Sequence, residues 1–321
     1  MNSSPIVIVW GEPNSVFSEI LIKSLKIYKS KKPIILIGSL ELLIKQTKKL
    51  KIKYNVNLIN LINDDLKGIK KDKVNLINID YNFNKPFEKI SSKSNMYILE
   101  CFKKAYKIIK KYKISGLING PISKKYFLKN NYLGITEFLS HHYKIHDNFA
   151  MLIYNKSLAV SPITTHLPIE KVSKKITKKS IITKLLLINN FYKNFFSIKP
   201  KIAICGLNPH CENFFHKKSE ENEIIIPAIN HLKKKKLNIC GPFAADTVFL
   251  KNIRSKYDVV IGMYHDQVLT PIKTIHGFDA INITIGLPFI RISPDHGPNF
   301  NMIGKNASNP QSLVNSIKFL N

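Results

Sequence analysis

Short apolar, β-branched runs alternate along the chain with longer stretches whose apolar positions recur every three or four residues. The short runs fall at residues 5–10, 33–37, 56–62, 116–119, 158–164, 201–205, 258–262 and 280–285, and are read as strands. The helical period occupies residues 39–50, 94–112, 178–196, 221–235 and 310–320. Strands alternating with helices predict an α/β protein with largely parallel sheets. No internal repeat is present, and no long Gly/Ser/Pro linker marks a boundary.

Composition narrows the class. A chain of 321 residues suits two domains of ordinary size, and 44% hydrophobic content can fill their cores. No run approaches the roughly 18 to 20 apolar residues of a membrane helix. The start, Met-Asn-Ser-Ser-Pro-Ile-Val-Ile-Val-Trp, lacks the basic region and long apolar core of a signal peptide. Cys101, Cys205, Cys211 and Cys240 form no CxxC pair. A soluble cytoplasmic protein with no membrane partner is the expectation.

The net charge of +29 would ordinarily suggest a nucleic-acid or anionic-membrane partner. Only Arg254 and Arg291 among the 50 basic residues are arginine, however, and the lysines are spread over the whole chain. A base reader relies on the bidentate fork of arginine. The excess therefore reads as solvated lysine faces, with weak polyanion binding but no specific nucleic-acid recognition.

Three histidines share one context. His166 closes Ser-Pro-Ile-Thr-Thr-His, His210 closes Cys-Gly-Leu-Asn-Pro-His, and His265 closes Val-Ile-Gly-Met-Tyr-His. Each follows the carboxyl end of a predicted strand, the edge at which open α/β sheets bind ligands. Position alone fits either ligands of a divalent ion or unrelated turn histidines. A second cluster, His141, His142 and His146, has helical spacing but no evident further ligand, and reads as an exposed polar segment. Asn282 interrupts an apolar strand and Arg291 follows an apolar run, so both invite a ligand or an ion pair as explanation. The chain has no G-x-G-x-x-G, no G-x-x-x-x-G-K-[ST] and no G-x-S-x-G.

Longer motifs in a fixed order go further. They include Asn119-Gly120-Pro121-Ile122-Ser123-Lys124, Thr136-Glu137-Phe138, Thr164-Thr165-His166-Leu167-Pro168 and Gly206-Leu207-Asn208-Pro209-His210. To these are added Gly241-Pro242-Phe243-Ala244-Ala245-Asp246-Thr247 and the stretch 264–297. Together they resemble the 4-hydroxythreonine-4-phosphate dehydrogenase family of vitamin B6 biosynthesis, over nearly the whole chain. The resemblance implies two α/β domains around a cleft, as in isocitrate and isopropylmalate dehydrogenases, in a homodimer whose active site is shared between subunits. Approximate domains are residues 1–125 with 275–321, and residues 126–274. It implies His166, His210 and His265 as ligands of a divalent ion (zinc, magnesium or cobalt). Thr136, Lys273, Asn282 and Arg291 would contact a small phosphorylated substrate. Lys273, Asp246 and Asp266 would be catalytic, the lysine supplying charge or a proton and the aspartates orienting a ligand or relaying a proton. The cofactor implied is NAD, with NADP as the alternative.

The chain also departs from the family pattern. Ile135 stands where a substrate-binding histidine usually precedes Thr-Glu-Phe. Bulky residues replace glycines after Gly11-Glu12-Pro13 and after His210, and residues 297–304 are atypical. These departures keep two alternatives open: a dehydrogenase of another phosphorylated four-carbon hydroxy acid such as a phosphothreonate, or a noncatalytic polyanion-binding protein on the same fold.

Overall fold

The computed structural model describes residues 4–59, 66, 68–128, 132, 134–142, 148–211, 218–277, 279–294 and 297–321. In chain order the strands are β1 (Ile6–Val9), β2 (Ile34–Gly38), β3 (Val56–Leu58), β4 (Val74–Asn78), β5 (Gly116–Asn119), β6 (Ala150–Asn155), β7 (Leu158–Pro162), β8 (Ile202–Cys205), β9 (Ile239–Phe243), β10 (Val259–Gly262), β11 (Ile281–Ile285) and β12 (Arg291–Pro294). The helices are α1 (Phe17–Ile27), α2 (Leu40–Lys49), α3 (Asn95–Lys111), α4 (Ile135–His142), α5 (Val172–Lys175), α6 (Lys178–Phe191), α7 (Ile226–Lys234), α8 (Ala245–Val248), α9 (Lys251–Arg254), α10 (His265–His276) and α11 (Gln311–Leu320). The chain divides into two units, Met1–Leu139 with Pro288–Asn321, and Ser140–Leu287.

In the first unit the strands run in the order β3-β4-β2-β1-β5-β12, and every pair with a resolved register is parallel. Ile6, Val7, Ile8 and Val9 of β1 are all fully buried, as a central parallel strand covered on both faces requires. The helix α3 lays Tyr97, Ile98, Cys101, Phe102, Ala105 and Tyr106 along one apolar stripe and packs on β1 and β2. Just past β5 the chain passes so close to β1 that a Cβ on Gly120 would stand 2.0 Å from the Trp10 carbonyl oxygen. Only glycine permits that approach, and it fixes how Asn119 leaves the strand.

The second unit has the order β11-β6-β7-β10-β8-β9. The strands β7, β10, β8 and β9 are parallel, whereas β6 is antiparallel to both β7 and β11. That exception follows from the two-residue link between Asn155 and Leu158, since so short a link can only reverse the chain. The asparagine Oδ1 accepts the Ser157 N–H at 3.0 Å and stabilises this turn. Met151, Ile153, Val160, Ala203, Val260 and Val268 belong to the core that α10 covers. A reciprocal cap between Thr177 and Ser180 starts α6.

Candidate active site

The adjacent parallel strands β7, β10 and β8 end on one edge of the second unit, and a predicted histidine follows each. The rings of His166 and His265 lie 5.6 Å apart between centroids, inclined at 39°. Two imidazoles bound to one ion at about 2 Å each hold their rings at such a spacing. His265 opens α10, and its Nδ1 is 2.6 Å from Asp266 Oδ1. A carboxylate at Nδ1 leaves Nε2 as the ligating nitrogen, the usual support of a metal-bound histidine. His210 occupies the neighbouring turn, exposed and in the left-handed region at φ 54°. Non-glycine residues rarely adopt that conformation, and they collect at functional sites. Among the described residues no three His, Cys, Asp or Glu side chains stand close enough to hold an ion. The nitrogen donors still suit a divalent cation, and the pair offers two of them at a spacing one ion can bridge.

Side chains tie these loops together where the strand ladders stop. Both the Thr164 Oγ1 and its backbone N–H donate to the Met263 carbonyl, at 2.8 and 3.1 Å. Gln267 Oε1 accepts the Met263 N–H at 2.6 Å, and its Nε2 donates to Gly206 O at 2.8 Å. Buried Glu221 grips the turn before His210: Oε1 accepts the N–H of Leu207 at 2.7 Å and of Asn208 at 2.9 Å, while Oε2 accepts Asn208 Nδ2 at 2.9 Å. Burial acts to raise the pKa of Glu221, but these hydrogen bonds outweigh it and hold the carboxylate below its ordinary range. Glu220 also accepts from Asn208 Nδ2, at 3.0 Å, and from Ser173 Oγ.

The remaining expected residues of this unit are dispersed. Asp246 is exposed in α8; its charge reaches Cys211, whose thiol pKa is raised mainly by burial. Lys273 is exposed on α10, eight residues beyond His265 and so about 12 Å further along the helix. Asn282 is half-buried in β11 opposite Ile153, and its Oδ1 is buried with no hydrogen-bond partner among the described residues.

A separate cluster forms in the first unit. Arg291 is fully buried in β12 beside β5. Its Nε donates to Asn119 Oδ1 at 2.7 Å and its Nη1 to Thr136 Oγ1 at 3.2 Å. Asn119 in turn donates through Nδ2 to Gly120 O at 2.9 Å, which fixes its carbonyl towards the guanidinium. Burial lowers the Arg291 pKa to about 10, against the raising influence of Tyr106 and Glu137, so the side chain stays cationic at neutral pH. Ile135, half-buried, precedes Thr136 at the start of α4.

Asn119, Gln267 and Glu221 carry much of this geometry yet were not singled out from the sequence as site residues. Asn119 could have been found by the argument used for Asn282, a polar residue closing an apolar strand. Gln267 and Glu221 gave no such signal, because Gly206 and the Leu207–Asn208 turn that they hold belong to other segments of the chain. His141 is exposed; the side chain of His142 and the whole of His146 lie outside the described residues, as do 212–217 of the glycine-poor loop.

The family model of the pyridoxal phosphate biosynthetic protein PdxA matches residues 29–320. A 4-hydroxythreonine-4-phosphate dehydrogenase of Sulfurihydrogenibium sp. (strain YO3AOP1) is 37% identical over 318 residues, covering 98% of this chain and 96% of that protein. A protein of Oceanobacillus iheyensis named "Putative D-threonate 4-phosphate dehydrogenase" is 31% identical over 325 residues, covering 99% and 97%. The crystal structure of 4-hydroxythreonine-4-phosphate dehydrogenase from Klebsiella pneumoniae superposes with a TM-score of 0.85 at 26% identity, over 99% of this chain and 98% of that one. With likeness of sequence and fold running end to end, the chain belongs to the PdxA family.

Proposed function

We propose that the chain is an NAD-dependent, metal-dependent 4-hydroxythreonine-4-phosphate dehydrogenase. It oxidises the 3-hydroxyl of 4-phosphooxy-L-threonine, and the β-keto acid so formed loses carbon dioxide to give 3-amino-2-oxopropyl phosphate. The observation that carries this reading is the His166–His265 pair, with Asp266 behind it, at adjacent strand ends of a PdxA-family chain.

His166, His210 and His265 would hold the ion, which is zinc, magnesium or cobalt. When bound, it supplies Lewis acidity at the reacting hydroxyl and at the carbonyl that replaces it. Asp266 holds the His265 ring by its Nδ1. Arg291, locked by Asn119 and Thr136, presents a dry cation to the phosphate, and Asn282 offers a buried amide to the polar end of the substrate. Lys273 and Asp246 stand away from the histidine pair within one chain, so in the site shared between subunits Lys273 would supply charge or a proton and Asp246 would relay one. A homodimer with a shared active site accords with a chain whose own described residues gather two of the three histidines. Among the described residues no helix is long and apolar enough to cross a membrane, and all four cysteines are free thiols, in keeping with work in the cytoplasm.

One second reading has its own support. Isoleucine at 135, beside Thr136, offers no hydrogen bond, and a relative bears a threonate-phosphate name. The test measures NADH formation by metal-supplemented protein on 4-phosphooxy-L-threonine and on 4-phospho-D-threonate, wild type against His210→Ala. Turnover of the amino acid phosphate at the higher rate, lost in His210→Ala, is expected. Faster turnover of the threonate ester moves the assignment to the second reading, and equal rates in the two proteins overturn the metal role of His210.

A further inference from the structure

The ladder between β8 and β10 ends at Ile204 opposite Ile261, before either histidine-bearing turn begins. Beyond that point the two segments are joined by the amide of Gln267, a buried side chain in the first turn of α10. One end accepts the Met263 N–H at 2.6 Å, two residues before His265; the other donates to Gly206 O at 2.8 Å, four residues before His210. The opposite side of Met263 is held too, since its carbonyl accepts twice from Thr164, two residues before His166. Gly206 is equally confined: its N–H donates to Phe243 O at 2.9 Å, and a Cβ there would stand 2.9 Å from Cys211 Sγ and 3.0 Å from Glu221 Oε1. A ladder hydrogen bond would join backbone to backbone at a fixed spacing; the primary amide spans a wider gap and satisfies both a donor and an acceptor. No charged group does this, because a carboxylate only accepts and an ammonium only donates.

We propose that Gln267 is a positioning residue for metal binding: it sets the placement of the His210 turn against the His265 turn without touching the ion. The inference rests on the metal reading of the histidines. Outer groups that orient ligands typically govern metal affinity by 10- to 100-fold, and Gln267 acts in this way on two ligand-bearing turns at once.

The test titrates cobalt(II) into metal-stripped full-length protein, read by calorimetry and by visible absorption of the bound ion. The proteins are wild type, His210→Ala, His265→Ala and Gln267→Met, a swap of similar size that removes both hydrogen bonds. Expected is a 10- to 100-fold weaker cobalt affinity for Gln267→Met, with altered ligand-field bands, in a protein that is less stable without metal but still unfolds cooperatively above the temperature of the titration. Gln267→Glu retains the acceptor for Met263 N–H but sets a charged acceptor against Gly206 O in place of the donor; weaker cobalt binding in spite of the added negative charge is expected, and it decides the matter if the methionine variant does not fold. Wild-type affinity and spectrum in a folded Gln267 variant, while His210→Ala and His265→Ala bind poorly, overturn the positioning role alone. Wild-type binding in both histidine variants overturns the metal reading beneath it.

Discussion

Arg291 shows how much one side chain reveals and how much it leaves to its neighbours. In a chain that is otherwise nearly all lysine among its basic residues, an arginine following an apolar run attracts notice. Its setting was not legible, because Asn119 is 172 residues away in sequence and Thr136 is 155 away. Burying a guanidinium costs free energy, and the pKa lowered to about 10 records that cost. A site that keeps such a cation dry gains a strong grip on phosphate. Arg291→Lys keeps the charge but loses the fork, leaving Asn119 and Thr136 poorly matched. The expected loss is about 2 kcal/mol in substrate binding, or roughly thirtyfold in KM. Steady-state kinetics check it, and an unchanged KM would remove Arg291 from the substrate site.

At the scale of the element, the strands that read clearly are those with long β-branched runs, such as β1, β2 and β10, because a buried parallel strand tolerates little else. The strands β4, β6, β9 and β12 and the helices α1, α4 and α10 did not stand out. Short runs such as Ala150-Met151-Leu152-Ile153 serve a helix or a strand equally well, and β6 owes its state to pairing with β7 and β11. The turn before His210 is likewise made by something outside itself, the Glu221 carboxylate. Since its pKa lies below the ordinary 4.5 when folded, Glu221 contributes stability that is fully present above that value and is lost as pH falls through the folded pKa. Glu221→Gln removes an acceptor and turns an N–H towards donors, so a cost of about 1–3 kcal/mol at pH 7 is expected. Denaturant unfolding at pH 7 and at pH 4 checks the sign: the gap between wild type and variant narrows in acid. A gap that widens there would contradict the pKa direction.

For the whole molecule, a net charge of +29 means like-charge repulsion in the folded state. Raising salt from about 0.05 to 0.5 M shortens the screening length to a few ångströms, so the melting temperature is expected to rise, and adsorption to a polyanion column to vanish. Polyanion binding that survives 0.5 M salt would instead favour a dedicated binding face. The sequence by itself determined the α/β class, the family through its ordered motifs, and the candidate metal ligands, because burial, turn chemistry and ligand type are written in single residues and short runs. Only the tertiary structure decided that β7, β10 and β8 lie side by side, that Thr164 meets Met263 across 99 residues, and that Gln267 and Glu221 hold the turns. Strand order and side-chain-to-backbone hydrogen bonds join groups far apart in sequence, and no local pattern of residue types records where a distant peptide group will stand.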